Sequence, residues 1–273
     1  LELRNAPAGA FASGLSAQDG QGRDGARYLW DAASLAAILP ADERAAVGRL
    51  WATDFAPAHA LGHLPLEAGA IGAGDRRLVD SAYRRLRKAR AGLRHPRDEK
   101  LLAAGNGMAL RALAEAAPYD ARARDEAAAL VRFFARELWD GSKLRKVAGS
   151  AVAGELNDYA AVAWGLARQA GHSAEARRLG EAVARVAWAS FYREGWFREQ
   201  RALLAGLGPA AVIVDTHTPS PSAMLVLASL ELGDPALAAS AREALSLGGF
   251  PSPGAALGWS TQVVAIDRVA RGA

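Results

Sequence analysis

The sequence contains no cysteine. This excludes disulfides, thiolate metal sites and thiol nucleophiles anywhere in its 273 residues. Nor does any apolar run approach the roughly 18 residues a membrane-spanning helix needs, so no such helix and no membrane partner is expected. The chain opens at Leu1 with neither a basic n-region nor an apolar h-region. With no targeting segment to read, the expected location is the cytoplasm. Lysine is scarce too: Lys88, Lys100, Lys143 and Lys146 are the only ones among 33 basic residues.

What is present is ordinary for a globular chain, with 51% hydrophobic and 23% charged residues. Its net charge of +4 concentrates in one stretch holding Arg76, Arg77, Arg84, Arg85, Arg87, Lys88, Arg90, Arg94 and Arg97. That stretch lacks interleaved aromatic residues apart from Tyr83. It therefore reads as a solvated helix face rather than a nucleic-acid surface.

Helical periodicity dominates the chain. Short helices are expected from Asp31 to Pro40 and from Ala41 to Trp51, then a longer one from Asp75 to Ala91 with Leu78, Tyr83 and Leu86 inward. Further helices are expected from Asp98 to Ala117, stopped by Pro118, and from Tyr119 to Trp139, with Leu130, Phe134 and Leu138 on one face. Asp158 to Gln169 follows, closed by Gly171, and its return partner is capped by Ser173. Pro219 to Leu232, Asp234 to Leu247 and Ser260 to Arg271 bring the count to ten. Short turns make neighbouring helices antiparallel, so the helices starting at Asp98, Asp158 and Pro219 begin at one end of an array. The interruptions at 140–155 and 192–215, the second with a strand-like Ala211–Val214, are where such arrays tend to keep function.

Several segments in this order resemble the thioredoxin-domain-containing proteins related to spermatogenesis-associated protein 20. Arg94-His95-Pro96-Arg97-Asp98-Glu99-Lys100 followed by Asn106-Gly107-Met108 is similar to the family's basic-Pro-x-x-Asp-Asp-Lys and Trp-Asn-Gly-Leu-Met segments. Asn157-Asp158-Tyr159-Ala160 resembles its Asp-Tyr-Ala helix start, and Phe191 to Phe197 its Phe-plus-Gly turn. Asp215 to Ser222 resembles its Asp-x-x-x-Pro-Ser-Gly-Asn-Ser segment, and Gly9 to Leu39 its Gly-Gly-Phe-Tyr-Ser stretch and Tyr-x-Trp helix entry.

The resemblance implies an all-α fold, a six-hairpin (α/α) toroid like those of N-acylglucosamine 2-epimerases and six-hairpin glycosidases. It would fill residues 1–273 as one domain, with the thioredoxin-like domain and the first toroid helices outside this chain. There are departures: Ser16-Ala17-Gln18 stands where the family has Asp-Ala-Asp, Gly105 replaces an aromatic residue, and Pro219-Ser220-Pro221-Ser222-Ala223 replaces Pro-Ser-Gly-Asn-Ser.

If alternate helices line a toroid, Asp98, Lys100, Asp158, Asp215 and His217 are the candidate catalytic residues, since carboxylates beside a histidine or lysine can move protons on a sugar. Asn106, Tyr159, Trp196 and Ser220 are the candidate ligand-binding residues. Each aspartate has a plainer reading as a helix cap. Trp30 and Trp164 are expected in the core. His59 and His63 lack the glutamate of a zinc helix, and Gly206-Leu207-Gly208 is followed by Pro209 where a nucleotide-binding helix should start. No metal and no cofactor are expected. Two functions remain open: epimerase- or glycosidase-like chemistry on a small sugar-like ligand, or a non-catalytic scaffold accompanying a thioredoxin-like module.

Overall fold

The computed structural model describes residues 3–16, 18, 30, 32–50, 72–91, 96–193, 196–197, 215–247 and 258–272. The elements from the first part of the chain are strands β1 (Arg4–Asn5), β2 (Ala10–Phe11) and β3 (Gly14–Leu15), helices α1 (Ala32–Ile38), α2 (Ala41–Leu50) and α3 (Ala73–Ala91), and strand β4 (Arg97–Asp98). Then come α4 (Ala103–Ala116), α5 (Ala121–Phe133), α6 (Leu156–Gln169), α7 (Ala174–Phe191), the hairpin β5 (Tyr192–Arg193) and β6 (Trp196–Phe197), α8 (Pro221–Leu232), α9 (Pro235–Leu247) and α10 (Ser260–Ala270). Among the described residues the protein is all-α apart from these two-residue strands. His59, His63, Gly206–Gly208 and the strand expected at Ala211–Val214 lie outside the described residues.

The chain divides into two compact units, Gly14–Asp98 and Leu1–Ser13 with Glu99–Ala273. In the smaller, α1, α2 and α3 enclose Trp30, Leu35, Leu39, Val47, Ala82 and Leu86. The inward stripe of α3 is Val79, Ala82 and Leu86. Leu78 and Tyr83 flank that stripe on either side and are only half-buried. Arg76, Arg77, Arg84, Arg85, Arg87 and Lys88 are exposed. Arg85 pairs with Glu43 at 3.2 Å and Arg90 lies over the Trp30 ring, as befits a solvated face with local partners.

The larger unit is built from three helical hairpins, α4/α5, α6/α7 and α8/α9. α4, α6 and α8 run parallel. The start of α4 meets the start of α6, where Ala104 N–H bonds Asp158. Further along, Gly107 abuts Ala161 and Val162, and Gly165 abuts Leu110. At the far ends Arg168 of α6 pairs with Glu115 of α4 and lies near Glu231 of α8. Every residue of α8 from Pro221 to Ser229 is buried, which is why the helix shows no polar face. Its one central hydroxyl is satisfied: Ser229 accepts from Trp188 Nε1 and donates to Leu225 O. Leu130, Phe134 and Leu138 are fully buried as the spacing predicts, although the last turn of that helix, Phe134–Leu138, widens to a π-helix.

The helix ends show how local chemistry sets the boundaries. Ser173 caps α7 by accepting from Ala176 N–H, Asp120 caps α5 and Asp234 accepts from Leu237 N–H in the first turn of α9. α8 starts with Ser220 as its cap and Pro221 in its first turn. α6 closes without a left-handed residue, so Gly171 does not play the role expected of it. That conformation belongs to Gly233 at the end of α8, φ 74°.

Candidate functional site

The helix expected to start at Asp98 begins at Ala103 instead. Asp98 is in β4, opposite Gly14, and the next residues are drawn off by a different pairing: Ala103 N–H bonds Lys146 O and Ala148 N–H bonds Leu101 O. Asp98 is therefore not a helix cap. Lys100 is exposed just before α4.

Asp158 is the centre of the polar end. It is the third residue of α6, not its cap; the cap is Glu155, and the two side chains form a reciprocal capping box. One Asp158 oxygen accepts from Glu155 N–H at 3.0 Å. The other accepts from Ala104 N–H on α4 at 3.3 Å. Asp158 is 4% exposed, and burial raises its pKa above the ordinary carboxylate value. The two N–H donors and the Lys146 charge offset only part of that rise, while the Glu155 charge adds to it. Lys146 Nζ in turn holds Glu155 at 2.7 Å.

The neighbouring candidates are engaged in the same way. The Tyr159 hydroxyl accepts from Leu144 N–H at 2.8 Å, anchoring the 140–155 loop over the start of α6. Asn106, 2% exposed, accepts from Phe11 N–H and donates to Phe11 O and Leu102 O, so it splices β2 onto α4. At the start of α8, Asp215 accepts from Ser220 N–H at 2.6 Å and from Thr261 N–H of α10 at 2.9 Å. Ser220 Oγ accepts from Ala223 N–H and lies 3.0 Å from Ser222 Oγ. His217 is exposed in the preceding turn. The Trp196 backbone pairs with Arg193, and its side chain lies outside the described residues.

Sequence reasoning missed a second polar group, at the opposite ends of α4, α6 and α8. Arg111 contacts Glu231 at 2.5 Å and Glu115 at 2.9 Å, Arg168 contacts Glu115 at 2.8 Å, and the Arg111 guanidinium sits 4.7 Å from the Trp164 ring centre. The legible signal was the i,i+4 spacing of Arg111–Glu115 and Trp164–Arg168 on alanine- and leucine-rich helices, where a charge has to find a partner. It also missed Glu155, the capping-box partner three residues before Asp158, and Lys146, which reaches Glu155 only once the loop folds back.

Paired helical hairpins with polar helix starts thus define the class of protein the structure supports. No protein-family model matches the chain, and no curated protein matches it. Among the described residues no group of three or more histidine, aspartate or glutamate side chains is placed to hold a metal ion, and no helix is long and apolar enough to cross a membrane.

Proposed function

We infer that the chain is a non-catalytic scaffold domain of the (α/α) toroid type, of the kind that accompanies a thioredoxin-like module. The observation that carries this reading is the state of Asp158: it is nearly enclosed, and each carboxylate oxygen accepts a backbone N–H from the start of a different helix. A general base must come within hydrogen-bond reach of the proton it removes, and a 4% exposed carboxylate offers a substrate no approach. Asp215, Asn106, Tyr159 and Ser220 are likewise bonded to backbone N–H groups or neighbouring hydroxyls. In this reading the polar helix starts keep the three hairpins in register. The parallel packing of α4, α6 and α8 supports the toroid, and the sequence resemblance supplies the thioredoxin-like partner.

The alternative, acid/base chemistry on a small sugar, requires Asp158 to act on a ligand. Incubation with a panel of unmodified monosaccharides tests it, with melting temperature and turnover as readouts. The scaffold reading expects neither a saturable rise in Tm nor turnover. A monosaccharide that is turned over by the parent protein and not by Asp158→Asn would overturn it.

A further inference from the structure

We propose that the 140–155 loop carries a binding site for a small phosphorylated, hydroxyl-bearing molecule, of the sugar-phosphate class. The loop folds into two tight turns. In the first, Asp140 Oδ1 accepts from Ser142 N–H, Ser142 Oγ and Lys143 N–H, and Gly141 takes φ 97°. In the second, Ser150 N–H bonds Val147 O, Val152 N–H bonds Ser150 Oγ, and Gly149 takes φ 75°. Pairing between the turns fixes them: Lys146 N–H bonds Val152 O and Gly154 N–H bonds Leu144 O. The Tyr159 hydroxyl holds Leu144 from below. The loop is therefore stitched to the helices beneath it rather than free to close on itself.

Between the turns lies an open, mainly polar cleft of about 520 Å³ lined by Asp140, Lys143, Arg145, Gly149 and Ser150, among others. A water occupies about 30 Å³ of the liquid, so the cleft has room for an oxyanion and an attached body. Lys143 and Arg145 are exposed and flank it with two positive charges. The nearby Lys146 charge is already matched by Glu155. Asp140 supplies the one negative charge, through a carboxylate whose Oδ1 is taken up by the first turn. The balance at the cleft is one positive charge in excess. A guanidinium and an ammonium together suit a phosphate, the first as a fork and the second as a point charge. Ser150 and the turn backbones offer partners for hydroxyl groups. This site does not involve Asp158, so it stands or falls separately from the scaffold reading.

The test is a titration of the protein with inorganic phosphate, glucose 6-phosphate and glucose, followed through the backbone amide resonances of Gly149 to Ala151. Inorganic phosphate and glucose 6-phosphate should each shift these resonances saturably, glucose 6-phosphate at the lower concentration, and glucose should not. In Lys143→Gln/Arg145→Gln, whose changes are confined to exposed side chains, the affinity should fall at least about tenfold with the rest of the amide spectrum unchanged. Absence of a saturable shift with either phosphate compound, glucose binding as well as glucose 6-phosphate, or undiminished binding by the double variant would each overturn the proposal.

Discussion

Gly107 of α4 and Gly165 of α6 bring two helix backbones into direct contact: a Cβ on Gly165 would lie 2.5 Å from the Gly107 carbonyl oxygen, and one on Gly107 would lie 2.5 Å from the Ala161 carbonyl carbon. No side chain can yield at either place, because the obstacle is backbone. Gly107→Ala and Gly165→Ala should each therefore destabilise the protein by about 1–3 kcal/mol, despite the better helix propensity of alanine. Gly105 of α4 faces open space, and Gly105→Ala should instead stabilise by about 0.5–1 kcal/mol. Thermal denaturation of the three variants reads this as two falls and one rise in Tm.

The charged group at the opposite end makes a different prediction. Arg111 and Glu231 have side chains 16% and 13% exposed, so removing one partner leaves the other poorly solvated. Arg111→Met should cost about 1–3 kcal/mol, less than a fully buried pair would lose, because Arg168 and solvent both reach the site. Arg111→Met/Glu231→Leu should cost clearly less than the sum of its single variants. Denaturant unfolding of the full cycle checks this, and additive single losses would remove the pair from the account.

Carboxyl NMR titration should separate three aspartates in opposite directions. Burial raises Asp158 above the ordinary aspartate value, so the stability tied to its protonated form is fully present below that value and is lost as pH rises through the folded pKa. Asp140 is lowered chiefly by the N–H groups of Ser142 and Lys143, and Asp234 chiefly by Leu237 N–H. The stability they contribute is present above the ordinary aspartate value and is lost as pH falls through their folded pKa values. Asp158 titrating below Asp140 would contradict the burial described here.

The hairpins were legible because their signals are local. Ser173 and Asp234 stand where N-caps should, and Leu130, Phe134 and Leu138 recur at helical spacing. The site was less legible, since its geometry comes from pairings across the chain. Asp98 has the composition of a helix start, yet β3 claims it as a strand partner. Asp158 looked like a cap; its bond from Glu155 N–H is local, three residues away, and only the approach of α4 supplies the second donor, Ala104 N–H. The group around Arg111 went unread because Glu231 is far away in sequence and enters only through the parallel packing of α4, α6 and α8.

Asp158 ties two helix starts together, and amide hydrogen exchange at Ala104 and Glu155 tests that role most directly. In the parent protein both amides should be protected. In Asp158→Ala both should exchange at least about tenfold faster relative to Val131 in α5, a loss of about 1.4 kcal/mol at each position. Asp158→Asn, which keeps one acceptor and turns an amide donor toward the other N–H, should weaken at least one of them. Unchanged protection at both amides in Asp158→Ala would show that the carboxylate does not hold these helices, and would contradict the structural role assigned to it.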